Sequence, residues 1–118
     1  FARPSLVKLK IFKHKCTLIF AGEELTDADK VSYAQAIARK LQENETLQEQ
    51  AKSHSKDDFR LGGFEKAIMD AIISNMDSNK TMTKKILNDE KARSSFSDIM
   101  LQVVYDGLRG ESQNGLSD

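Results

Sequence analysis

Two histidines, His14 and His54, and a single cysteine, Cys16, are the only imidazoles and the only thiol in the 118-residue chain. His14-Lys15-Cys16 sets a thiol and an imidazole two residues apart, the raw material of a Cys–His nucleophile or of part of a metal site. A structural zinc centre takes four sulfur or nitrogen ligands, and only three such side chains exist here. Cys16 therefore reads as a small apolar core residue. A Cys–His nucleophile also needs a third group to orient the base, which the sequence neither supplies nor excludes. Asp89-Glu90-Lys91 contains an acid-x-Lys step of the kind nucleases of the restriction type use. It falls at an expected helix start, where the dipole favours acids in any case. Glu23-Glu24 and Asp57-Asp58 are adjacent acids that point different ways, so they read as solvated charges and not as an acid/base pair. Gly62-Gly63 is the only glycine pair, and no Gly-x-x-x-x-Gly-Lys-Ser/Thr phosphate loop occurs. The expectation is a chain with no catalytic residue, no metal site and no cofactor of its own.

Charge placement carries more. The chain holds 18 basic and 18 acidic residues, a formal net charge of zero. Residues 1–20 nevertheless contain Arg3, Lys8, Lys10, Lys13 and Lys15 and no acid, so the remainder is acidic by the same amount. A smaller basic group comprises Lys80, Lys84 and Lys85, with Arg93 further along. The N-terminal lysines are candidate phosphate contacts, binding nucleic acid without sequence preference through counterion release. The structural alternative is the wet edge of an amphipathic element. The phenylalanines Phe12, Phe20, Phe59, Phe64 and Phe96 read as core, not as base-stacking platforms. No apolar run approaches the ~20 residues of a membrane helix, which predicts no membrane partner. A lone cysteine fits a reducing, cytoplasmic setting. Phe1-Ala2-Arg3-Pro4 lacks an initiator Met and does not read as a signal peptide, as expected of a piece of a larger protein.

The elements that must position these residues read as an irregular all-α bundle of about five helices, one domain over 1–110 followed by a flexible tail at 111–118. Thr26 and Asp29 resemble a capping box, and Val31, Ala34, Ile37, Ala38 and Leu41 then keep helical period to about Asn44. Thr46-Leu47-Gln48-Glu49 is a second capping box opening a short helix that fades near Ser53. Gly62-Gly63 is expected to break the chain. Phe64, Ala67, Ile68, Ala71, Ile72 and Met76 give a third helix, with Asn79 as a stop. Thr83 to Asn88 carries a single turn. The last helix opens at Asn88 or Asp89 and holds Ala92, Phe96, Ile99, Met100, Val103, Val104 and Leu108 in phase, with Arg109-Gly110 as its C-terminal signal. Segment 5–20 is ambiguous between a helix and an edge strand. Helix is preferred because a lone strand has no partner in an otherwise helical chain.

Leu47-Gln48-Glu49-Gln50-Ala51-Lys52-Ser53-His54-Ser55-Lys56-Asp57-Asp58-Phe59 resembles a segment near the C-terminus of the motor (R) subunits of type I restriction-modification enzymes. The Phe64-to-Ile73 helix, the Met82-Thr83 turn, Leu87-Asn88 and a final apolar helix ending at Tyr105 extend the resemblance over about residues 40–109. Where that family usually has Asn in the polar turn, this chain has His54 or Ser55. The resemblance implies an ATP-driven DNA translocase and endonuclease as parent, with ATP and Mg used by domains lying upstream. For this piece it implies a helical C-terminal domain that helps dock the motor onto the methylase and specificity subunits and touches double-stranded DNA. On that reading Lys8, Lys10, Lys13, Lys15, Lys84 and Lys85 meet phosphate. Val7, Ile11 and Tyr105, if left over from the core, form a protein–protein patch.

Overall fold

The hydroxyl of Thr26 accepts the amide of Asp29 at 3.1 Å, and the helix expected behind it runs over Asp27–Gln42. In the computed structural model, which describes residues 6–110 and their side chains from Lys10 onward, this helix is the second of the fold. It is preceded by α1 (Leu6–Ile19) and labelled α2; α3 (Glu45–Ser53) and α4 (Lys56–Phe59) follow. A π-helical turn over Arg60–Phe64 joins α4 to α5 (Glu65–Ser74), and α6 (Lys80–Asn88) and α7 (Glu90–Leu108) complete the order. No strand occurs among the described residues. Taking α4, the π turn and α5 as one kinked stretch, six helical rods stand where about five were expected.

The ambiguity at 5–20 resolves as helix from Leu6 to Ile19, because Phe12, Cys16 and Phe20 recur every fourth residue and are all buried. A strand would set His14 and Leu18 on that same buried face, yet both are exposed. Three local expectations are corrected. The cap of α3 is Asn44, whose side chain accepts from Leu47 N at 3.1 Å, so Thr46 lies inside the first turn. Asn79 starts a helix and does not stop one: its side-chain Oδ1 accepts from Met82 N at 3.1 Å, and α6 is nine residues long, not one turn. Gly62-Gly63 bends the chain without breaking it. Only Gly63 leaves helical geometry, at φ 147°, and the side-chain amide of Gln50 donates to the carbonyl of Gly62 at 2.8 Å, bracing the bend. At the far end Arg109 caps α7 and Gly110 follows at φ 73°, the left-handed turn that glycine makes without strain.

Helix α7 is the spine, touching α1, α2, α3, α4 and α6, and α2 lies along it while also meeting α1, α3 and α5. Two aromatic groups pin these crossings. Phe20, Tyr33 and Phe96 join α1's end, α2 and α7 with ring centroids 5.7 to 6.1 Å apart. Phe59 meets Phe64 at 5.6 Å and Tyr105 at 5.1 Å. Such pairs contribute about 0.5–1.5 kcal/mol beyond the area they bury. The hydroxyls are satisfied: Tyr33 bonds Thr83 Oγ1 at 3.1 Å, and Tyr105 donates to the carbonyl of His54 at 2.6 Å. Arg109 adds a bond to the carbonyl of Ala51 at 3.0 Å. The segment Leu47 to Phe59 is thereby folded against the C-terminal end of α7.

Candidate interaction surface

The side chains with chemical potential are separated or already occupied. Cys16 is fully buried, and desolvation pushes its thiol up to about 12, far from the thiolate a nucleophile requires. His14, two residues away on the same helix, is exposed. Asp89 is the N-cap of α7: its carboxylate accepts from Ala92 N at 3.1 Å and pairs with Lys85 at 3.1 Å. Those contacts, the backbone bond first, hold it below the usual carboxylate range. The acid of the acid-x-Lys step is thus engaged in starting a helix. Among the described residues no three or more His, Cys, Asp or Glu side chains gather where a metal ion would be held.

The lysines divide by neighbourhood. Lys10, Lys13 and Lys15 of α1 and Lys84 of α6 are exposed and have no acidic partner within 4.0 Å among the described residues. Lys30, Lys52, Lys56, Arg60, Lys66 and Lys85, by contrast, all have one. Lys13 and Lys15 do not share a flank. Lys13 lines a depression between α1 and α2 beside Asp27, whereas Lys15 lines the groove between α1 and α7. In that second groove, of about 670 Å³, Lys15 is joined by Lys85 and Lys91 from two other elements, with Asp89 and Asp98 also present. The side chains of Val7 and Lys8 lie outside the described residues.

Ile11 stands out from α1 at 48% exposure, as a surface apolar residue should. Tyr105 does not. It is 7% exposed, its ring held between Lys56 at 5.6 Å and Arg109 at 5.5 Å and its hydroxyl bonded inward, so it belongs to the interior. The physical reason is amphipathic: the ring fills the gap beside Phe59 while one polar atom finds a backbone carbonyl. Sequence reasoning also passed over Leu18, the more exposed neighbour of Ile11 at 59%. The available signal was its spacing of seven from Ile11, outside the set Phe12, Cys16 and Phe20 that faces the core. No protein-family model, no curated protein and no solved structure matches the chain.

Proposed function

We propose that this chain is a non-catalytic helical docking domain that also makes sequence-independent contacts to duplex DNA, as its resemblance to type I restriction motor subunits implies. The observation that supports it is the contrast in ion pairing. Lys30, Lys52, Lys56, Arg60, Lys66 and Lys85 are matched to acids, while Lys10, Lys13 and Lys15, every lysine of α1 whose side chain is described, and Lys84 on α6 have no acid within 4.0 Å among the described residues. A helix with several cations and no acid keeps a local positive field even on a neutral molecule, and phosphates are the commonest polyanionic complement to such a field. Lys13 on the α2 flank of α1 and exposed Lys84 on α6 are free to contact phosphate while the α7 flank of α1 serves another surface.

Fluorescence anisotropy with two unrelated 20-base-pair duplexes over a salt titration tests the DNA half. Lys13→Glu with Lys84→Glu should weaken binding equally for both sequences and reduce the salt slope by about 1 per contact removed. Unchanged affinity refutes phosphate contact. Removal of these residues from the parent subunit should reduce assembly with the methylase core, and full assembly without them refutes docking.

A second reading, docking to protein with no DNA contact, has its own support in the exposed pair Ile11 and Leu18, for which phosphate offers no apolar complement.

A further inference from the structure

Helix α1 has two apolar faces. Phe12, Cys16 and Phe20 are spent on the core, while Ile11 and Leu18 project from the other side at 48% and 59% exposure. Seven residues separate them, almost two turns, or ~10.5 Å along the axis. That interval is the repeat with which one helix seats a second along a narrow seam. His14 falls at the intermediate seam position, Lys15 on one flank and Lys10 on the other. Beside this face lies the α1/α7 groove, where two adjoining depressions of about 670 and 420 Å³ share Lys15, Asp98 and Ile99. Ile11 borders one and Leu18 the other.

The charges bordering the seam choose the occupant. Of the acids lining the groove, Asp89 is tied to Lys85 at 3.1 Å, and Asp106 to Lys56 at 3.4 Å and to the Gln102 amide at 2.7 Å. Among the described residues Lys10, Lys15 and Lys91 have no acid within 4.0 Å, and of the acids lining the groove only Asp98 has no cation that close. We infer that the outward face of α1 docks an amphipathic helix of a partner protein. Its apolar residues recur every seven, acidic residues flank them, and a single basic or polar residue sits opposite Asp98. This deepens the docking reading above and rests on it. A second copy of the chain is disfavoured, because it would set Lys10 and Lys15 against their own equivalents. Nucleic acid would leave Ile11 and Leu18 unburied. Charge at the flanks would set partner choice and register, and the apolar pair would hold the complex.

A displayed library of 21-residue helices tests this, with leucine and isoleucine fixed along the seam and flanking positions randomised among Glu, Lys and Gln. Selection on the whole 118-residue chain should enrich Glu at the flanks. A selected peptide should bind at least tenfold tighter than its Lys-flanked counterpart. Ile11→Ser with Leu18→Ser should weaken it at least tenfold; both positions are exposed, so an unchanged thermal midpoint shows the fold intact. Lys10→Glu with Lys15→Glu should reverse the preference toward Lys-flanked helices, a readout that loss of structure cannot produce. No enrichment, enrichment of Lys, or indifference to the serine variants overturns the inference. So does self-association in sedimentation equilibrium that the serine variants abolish, which assigns the face to a second copy, and so does duplex DNA binding lost in those variants. A chain that enriches Glu-flanked helices yet ignores duplex DNA overturns the phosphate reading alone. One that binds duplex and enriches nothing overturns this inference alone.

Discussion

Adjacent glycines offer an internally controlled experiment, because Gly62 and Gly63 should answer the same substitution with opposite signs. Gly62 sits in helical geometry, and an added Cβ would meet only the Gln50 side chain, at 3.6 Å or more, an ordinary contact. Alanine there restricts the unfolded chain and suits a helix, so Gly62→Ala should be neutral or stabilise by up to about 1 kcal/mol. Gly63 has equally open surroundings, its nearest neighbour for a Cβ being Gln50 Oε1 at 3.5 Å, but φ is +147°. Space is not the obstacle; the backbone is. Holding alanine in a region that L-residues avoid costs of order 1–3 kcal/mol. For a domain of this size about 1 kcal/mol moves the thermal midpoint by roughly 3–6 °C. Gly63→Ala should therefore lower it by roughly 3–18 °C, while Gly62→Ala leaves it level or raised by a few degrees. Calorimetry and urea unfolding give both numbers on the same preparations. Equal tolerance at the two positions would refute a backbone kink localised to Gly63. Equal damage would show that what matters is contact with Gln50, not φ.

Further outcomes concern caps, the thiol and pH. Asn44→Ala and Asn79→Ala should each destabilise the fold by about 1 kcal/mol, whereas Thr46→Ala should stay within about 0.5 kcal/mol, in chemical denaturation; a larger loss at Thr46 would restore the capping box read from sequence. Cys16 should resist a thiol-specific chromogenic disulfide at pH 8 until denaturant is added, and stoichiometric labelling of native protein would contradict its burial and its pKa of about 12. Asp89 has its folded-state pKa depressed, so the charge-dependent part of its stabilisation is present above the unfolded value and disappears as pH falls through the folded one. Asp89→Asn should thus unfold at lower temperature than the parent chain near pH 6, with the gap closing once the medium is more acidic than the ordinary carboxylate range. A gap independent of pH would assign the effect to cap geometry alone. Tyr33→Phe should cost about 1 kcal/mol by removing one of the two partners of buried Thr83 Oγ1, the other being the Asn75 carbonyl at 3.5 Å, and no change in the denaturation midpoint would discount the Tyr33 bond.

Helical class and the buried stripes of α2 and α7 were legible because one periodic signal repeats over several turns: Val31 through Leu41 and Ala92 through Val104 need only the 3.6-residue step. Caps were less legible. Asn44 and Thr46 are both competent caps two residues apart, and which one starts α3 is set by the chain's exit from α2, where Glu43 still bonds back to Arg39. Nothing local distinguishes Asn79 as a start from Asn79 as a stop, since an Asn side chain serves either end of a helix. The lysines were legible as a run, not as a face, because successive helical residues diverge by 100°; Lys13 and Lys15 are near neighbours in sequence and border different grooves. Tyr105 looked available to a partner because an aromatic near a helix end is compatible with both surface and core, and its fate depends on Lys56 and His54, some fifty residues earlier.

The bonds from Tyr105 and Arg109 back to His54 and Ala51 have a consequence for synthesis. On a ribosome the Leu47-to-Phe59 segment emerges long before the side chains that complete it, and Phe20 and Tyr33 wait likewise for Phe96. Since α7 contacts five other helices, the earlier elements have no complete interior to fold onto until it has left the exit tunnel. Folding is thereby deferred to the last helix. A chain halted before Phe96 would present Phe20, Tyr33 and Phe59 to solvent together, the kind of surface that chaperones and proteases recognise.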